Sequence, residues 1–595
     1  MRFFLPFCAA LAALVLLLPL VLHTGWPENH NDLIEFARQG AILGQWRLGH
    51  LIPVWSTVQQ AGFGSPAPAL YNKTFSYVAA AFLAVTGEPK SALVLAIGIF
   101  MIIAFLGAAC AVRQVLQRQD PPAEIVAGCL AVSCNYATTD WLVRGDFAEF
   151  AALAVASWVF AWCLHLVRTG RWAIWIGPVF AVLALSHVVI AVFTLPLLIA
   201  SLIVAASFHR GRIPAWVRPV EASIALALVM FLPFEWPQAV FNSWANTDGL
   251  GVYTVESTHL PLIRFFWDEV WWFGTNGRGM TVQLDLIPLG GFLAFVALVL
   301  RRDLAPASGP PVPADQRPKP SSQALAAVLL ALVVAGTLAA QTKAAFPLFD
   351  MSWALGLIQF SWRLLLFSSL AVAIGCGGLI GFLHRNPHPR LRILCLPAAL
   401  LLVGATATNK PWWTGLPKAG FDAAQIRAAL HGDAFAIAGE YLPRITETDA
   451  RGPVRILAWM PSADPGPASP CHIDRLSPAD REVAQIRLRA TCRVAGEAVL
   501  PLFAAPGLTV TAPPAAGGPA TVLAPRRTCA DARVRIDLPA GETSLSVRPP
   551  LWGSVLHAFL SGETFDYRRR CPPPHDPPPL VTARHADHAR HAGAP

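Results

Sequence analysis

Apolar residues fall in long unbroken runs along this chain, not in the stripes of a surface helix. The first run extends from Phe3 to Leu22, close to the roughly 20 residues that cross a bilayer core. Others lie at about 91–112, 123–138, 148–167, 172–188, 190–208, 219–235, 284–300, 323–341, 357–383 and 393–408, and together they predict about eleven transmembrane helices. The first run lacks a small-x-small cleavage site in the following "VLHTGWPENH", so it reads as a retained span rather than a signal peptide. A shorter apolar stretch, Phe75 to Val85, reads as a re-entrant or interfacial segment.

Beyond Pro411 the pattern shifts to short alternating runs between Pro/Gly clusters. In "ARVRIDLPAGETSLSVRP", Val534, Ile536 and Leu538 alternate before a turn and Leu545 and Val547 after it, which predicts a hairpin. "PVRILAW" and "GLTVTA" suggest further strands of a small sandwich. The expected fold is thus an α-helical polytopic membrane domain over residues 1–410, with a long first outer loop at 24–90. An extracytoplasmic β-sandwich follows over 411–570, and a disordered Pro/His-rich tail over 571–595.

Composition narrows the class. The chain is 55% hydrophobic and 14% charged, about half the charged share of an ordinary soluble domain, which excludes a soluble enzyme and a coiled coil. The formal charge of +9 suggests a nucleic-acid partner only until the basic residues are placed. Arg113, Arg118, Arg168, Arg171, Arg210, Arg212, Arg301, Arg302, Arg385, Arg390 and Arg392 all fall in one set of short loops, so their distribution is topological and no nucleic acid is expected. With a cytoplasmic N-terminus those loops face inward, and the C-terminal domain is periplasmic on a multi-pass bacterial inner-membrane protein. The opposite loops carry Asp32, Glu35, Asp140, Asp146, Glu149 and Asp285. Of the 11 cysteines, Cys471, Cys492, Cys529 and Cys571 lie in the outer domain, where one or two disulfides are expected with the pairing open.

Candidate chemistry gathers in the outer loops. A helix from about Asp32 to Leu43 puts Asp32, Glu35 and Gln39 on one face. Asp32 and Glu35 read either as a carboxylate pair that deprotonates an acceptor hydroxyl, or as a capping box. Lys73 suits a lipid phosphate or an interfacial anchor. Arg144, Asp146 and Glu149 crowd the start of the next span. His187 sits in an apolar setting where two spans meet, and Arg363 opens a span with a fork suited to phosphate. There is no Walker loop, dinucleotide fingerprint or nucleophile elbow, which removes support for ATP-driven transport and serine hydrolysis. No metal site and no organic cofactor are expected from motifs, and a role for a divalent cation stays open.

Taken in order, "GFGSPAPALYN", "RGDFAE" at Arg144 to Glu149, "LSH" at Leu185 to His187, "QFSWRLL" at Gln359 to Leu365 and "GEYLP" at Gly439 to Pro443 resemble a family. It is the bacterial multi-span membrane proteins labelled 6-pyruvoyl-tetrahydropterin synthase-related, which are similar to the glycosyltransferase C (GT-C) superfamily. The label does not imply pterin chemistry, because no zinc-ligand histidine cluster is present. The resemblance implies an inverting glycosyltransferase that moves a sugar from a polyprenyl-phosphate donor to a glycan or lipid acceptor of the cell envelope, at the outer membrane face. It also implies Asp32 as base, Arg363 on the lipid phosphate with Lys73 or Arg144 as rivals, and Glu149 and His187 lining the cavity. Two other classes remain beside it: a lipid-linked glycan transporter or flippase, and a non-catalytic envelope-assembly protein.

Overall fold

A computed structural model describes residues 3–29, 31, 33–60, 62–245, 255–256, 258–266, 282–304, 321–351, 360–406, 416, 420–431, 470–478, 481–513, 520–526 and 533–561. The chain divides into two compact units. The first comprises Met1–Leu43, Tyr71–Glu235 and Gly251–Leu430, and the second Gly44–Leu70, Trp236–Leu250 and His431–Pro595.

The first unit is helical. Each of the eleven apolar runs contains a helix, and seven helical segments among the described residues are long and apolar enough to cross a membrane. They are Phe4–Leu22, Pro89–Leu116, Phe147–Thr169, Val188–Phe208, Arg210–Asn242, Ser322–Ala339 and Ser361–His384. The helices at Pro121–Ser133, Ile176–Ser186 and Cys395–Ala405 are shorter than the roughly 30 Å hydrocarbon core at 1.5 Å per residue. So is Thr74–Thr86, where the short apolar stretch was expected.

Burial separates the inside of this bundle from its rim. Ser361–His384 is enclosed along its length, whereas few residues of Arg210–Asn242 are buried and Val217, Ile224, Leu228, Val229 and Leu232 are exposed. An all-apolar helix with an outward face needs lipid as its solvent. The central helix packs closely because it carries small residues. A Cβ on Gly377 would lie 2.7 Å from the Ala123 carbonyl oxygen, so the glycine sets how near the two backbones come.

The second unit is a two-sheet β-sandwich. One sheet orders its strands as Cys471–Arg475, Ile486–Cys492, Gly541–Arg548, Thr509–Ala512 and Thr521–Leu523; the other pairs Gly496–Phe503 with Arg533–Leu538. Alternate residues, among them Ile486, Leu488, Ala490, Val534, Ile536, Leu545 and Val547, form the core between them. This corrects the expected hairpin. Both runs are strands, but Arg533–Leu538 and Gly541–Arg548 pair with different partners, so "PAGE" carries the chain from one sheet to the other. Alternation fixes which face of a strand is buried and says nothing about which neighbour completes its hydrogen bonds.

Cys471 and Cys492 sit opposite one another on adjacent antiparallel strands and form a disulfide. Cys529, Cys571, "PVRILAW", "GEYLP" and the tail 571–595 lie outside the described residues. Two segments remote in sequence complete the unit. Val54, Trp55 and Phe63 of the first loop, with Val240, Phe241 and Trp244, make a second core against Phe503 and Val555. Glu482 ties the loop down, accepting hydrogen bonds from Gln45 Nε2 at 2.7 Å and from the backbone N–H and hydroxyl of Thr57, both at 2.8 Å.

A charge cluster at the start of two spans

The candidate site lies within the helical unit and is built on a reversal of the chain. Helical turns run from Asn135 to Arg144, Gly145 takes φ +66°, and Asp146 caps Phe147–Thr169 by accepting the Glu149 N–H at 3.2 Å. Gly145 is required twice: an L side chain rarely adopts that φ, and its Cβ would meet the Asn29 side chain at 2.7 Å.

The reversal turns the Arg144 guanidinium back over the new helix. It bonds Asp146 at 2.8 Å, Glu149 at 3.0 Å and Asp140, all with little exposure. Tyr136 donates its hydroxyl to the other Glu149 oxygen, and the Trp362 ring lies 4.5 Å beneath Arg144. Each buried acid therefore has a cation or hydroxyl against it, as charges removed from water require.

Arg363 joins from the single turn Ser361–Leu364 that opens the central helix. Its Nε lies 3.1 Å from Glu149 and its terminal nitrogen 3.9 Å from Asp146, and the Phe360 ring lies 5.0 Å from its guanidinium. Arg144 is held by three carboxylates; Arg363, at 13% exposure, has one at close range. Formally, the acids Asp140, Asp146 and Glu149 exceed the two arginines by one negative charge, and one Asp140 oxygen has no hydrogen-bond partner among the described residues.

His187 caps Val188–Phe208, its ring nitrogen accepting the Ile190 N–H at 3.4 Å. Asp146, Glu149 and His187 bring one donor atom each to within 4.8 Å of one another. Burial acts to raise Asp146, but Arg144, His187 and Arg363 outweigh it and hold that carboxyl at about 2.

The first-loop candidates separate. Asp32 lies outside the described residues. Its chain neighbour Asn31 donates its backbone N–H to the Arg144 carbonyl and its side chain to the Gly145 carbonyl, both at 3.0 Å. The helix begins at Ile34, two residues later than expected, and runs to Arg47. Glu35 is buried with Arg38 at 3.3 Å, and Arg38 stacks on Tyr71 at 3.1 Å. Burial pushes the Glu35 carboxyl above its ordinary range despite Arg38, which makes it a stronger proton acceptor than an exposed Glu. Lys73 is buried against Glu235 at 2.9 Å. The structure therefore unites Arg144, Glu149, His187 and Arg363, and gives Lys73 a carboxylate partner of its own.

Asp140 and Tyr136 escaped the sequence reading as site residues. Asp140 stands four residues before Arg144, a spacing that pairs side chains on a helical turn, and that was its available signal. Nothing local distinguishes Tyr136 from an interfacial aromatic residue.

No protein-family model matches the chain, and no curated protein matches it by sequence. Solved structures do. The arabinofuranosyltransferase AftD from mycobacteria matches with a TM-score of 0.42 and 15% identity over 71% of this chain and 28% of its own. An oligosaccharyltransferase from Archaeoglobus fulgidus, tethered with an acceptor peptide, matches with a TM-score of 0.41 and 14% identity over 70% of this chain and 55% of its own. The same organism's oligosaccharyltransferase AglB, in complex with an inhibitory peptide and a dolichol-phosphate, matches with a TM-score of 0.35 and 15% identity over 70% of this chain. The chain thus spans between about a quarter and about half the length of the structures it is similar to.

Proposed function

We propose that this chain is an integral-membrane glycosyltransferase that transfers a sugar from a polyprenyl-phosphate donor to an envelope glycan or lipid acceptor, with inversion at the anomeric carbon. The observation that carries the proposal is Arg363. It is a partly exposed guanidinium at the mouth of a span, beside a buried acid cluster that two helix starts hold in place. Ionisable groups are costly at membrane depth and mark a site where a polar ligand must be handled. The ordered "RGDFAE", "LSH" and "QFSWRLL" motifs, which resemble the pterin-synthase-related and GT-C proteins, supply the same residues.

As the acceptor oxygen forms its bond to the anomeric carbon, the bond to the donor phosphate oxygen breaks and the electron pair leaves with the lipid phosphate. Arg363 offsets that growing charge, a role in which one well-placed donor is worth about 10²–10³ in rate. Arg144 positions Asp146 and Glu149. Asp32 takes the proton of the acceptor hydroxyl, with Glu35, its carboxyl raised by burial, as the second candidate. Lys73, buried and already paired with Glu235, is the weaker candidate for the donor phosphate. His187 and Glu149 line the sugar's cavity.

The cluster also suits a divalent cation. Asp146, Glu149 and His187 bring two carboxylates and an imidazole close together, a donor set that divalent cations accept. Such an ion, when bound, would supply additional charge stabilisation at the phosphate. In this reading the site lies at the outer face of a bacterial inner membrane.

The test is mass spectrometry of envelope glycans and glycolipids from a deletion strain complemented with wild type, Asp32→Asn or Arg363→Gln. A sugar that vanishes on deletion and returns only with wild type supports the reading. Full restoration by Arg363→Gln would sink the phosphate role, and restoration by Asp32→Asn would pass the base to Glu35.

A further inference from the structure

We propose a second, non-catalytic site that binds the phosphate group of an anionic phospholipid, at the end of the helical unit remote from Arg363. A cavity of about 470 Å³ opens there between four helices. Leu116, Phe295, Val299 and Phe382 wall it, and the side chains of Arg118, Arg302 and Arg385 reach it.

Its position follows from the central helix. Arg363 precedes that helix and Arg385 follows it, so 22 residues at 1.5 Å each separate the two by about 33 Å, close to the thickness of a bilayer core. The cavity therefore opens near the opposite leaflet from the charge cluster. Its arginines belong to the loops in which basic residues concentrate.

The charges point to an anion. Among the described residues, no carboxylate lines the cavity. Of the nearest acids in sequence, Asp120 is paired with Arg385 and His384, and Asp303, which accepts the backbone N–H of Ser321 at 2.8 Å, is not among the lining residues. Arg118 and Arg302 are exposed and have no hydrogen-bond or ion-pair partner among the described residues. Two uncommitted guanidiniums above apolar walls match a phosphodiester that continues into acyl chains; a free phosphate would leave the apolar walls without a counterpart.

The experiment is native mass spectrometry of the whole protein, extracted in detergent and exchanged with defined lipids. Wild type is expected to retain phosphatidylglycerol in preference to phosphatidylcholine. The variant Arg118→Gln/Arg302→Gln is expected to lose phosphatidylglycerol occupancy roughly twenty-five-fold, about a factor of five for each guanidinium. The charge-matched control Arg210→Gln/Arg218→Gln, in exposed positions away from the cavity, is expected to keep it. Both substitutions replace exposed side chains, so the fold is expected to persist, and an unchanged melting temperature confirms it. Equal retention by the double variant, or equal binding of phosphatidylcholine, overturns the proposal. Displacement of the lipid by excess inorganic phosphate reassigns the cavity to a free anion and overturns the lipid.

Discussion

Arg144 and Arg363 touch the same carboxylate, yet their substitution should damage the protein in different ways. Arg144→Gln removes three ionic contacts and leaves Asp140, Asp146 and Glu149 with one cation among them. Breaking a buried pair by removing one partner costs about 3–5 kcal/mol, because the other charge is left buried and uncompensated. Arg144 is 8% exposed and Glu149 fully buried, so the upper part of that range applies. Arg363→Gln removes one close contact from the same buried Glu149, which keeps Arg144 and the Tyr136 hydroxyl, so the lower end of that range, about 3 kcal/mol, is expected. Its effect on transfer should be the larger one, 10²–10³-fold, or roughly 3–4 kcal/mol of barrier. The assay pairs thermal melting of the detergent-purified protein with sugar transfer in reconstituted vesicles. Arg144→Gln should lower the melting temperature strongly, and Arg363→Gln should lower it clearly less while losing transfer. If Arg363→Gln melts as low as Arg144→Gln, Arg363 is a structural ion-pair partner and the division of roles is wrong.

Three further outcomes are expected. Glu482→Ala removes the acceptor of the Thr57 and Gln45 hydrogen bonds and should cost about 3 kcal/mol, read as faster proteolysis of the first loop. Burial raises the Glu482 carboxyl above its ordinary value, so its contribution to stability is full below the unfolded pKa and lost as pH rises through the folded one; Glu482→Gln should flatten the pH dependence of melting in that weakly acidic window. Reducing Cys471–Cys492, which closes a separation of 21 residues, should cost the β-sandwich about 3 kcal/mol, seen as a lower melting temperature with reductant. Gly145→Ala combines a positive φ with a 2.7 Å approach to Asn29 and should destabilise the reversal by about 2 kcal/mol or more; a melting temperature equal to wild type would show that the left-handed turn is dispensable.

The helices could be read from sequence because the signal is local and the solvent is lipid. A run such as Pro89–Leu116 must bury its own backbone polar groups wherever it sits, and apolar length alone forces the helix. The same logic placed the arginines at one end and the acids at the other: Arg113 and Arg118 close one span, while Asp146 and Glu149 open another. Strand alternation was equally local, and it identified the buried face of Arg533–Leu538 and of the end of Gly541–Arg548.

What the tertiary structure alone decided were the pairings between distant residues. Glu149 meets Arg363 across more than two hundred residues because folding brings the starts of two helices within reach of each other's side chains, and no spacing rule encodes that contact. The partners of Arg533–Leu538 and Gly541–Arg548 were likewise set by which strands lie beside each in the folded sandwich, which turned an expected hairpin into a crossing between sheets. Lys73 differs from Arg363 for the same reason: both are cations near the start of a helix, but only folding put Glu235 within 2.9 Å of one and left the other partly open. Sequence thus determined the elements and their burial through local periodicity, while the charge cluster depended on long-range packing that brings three segments to one point.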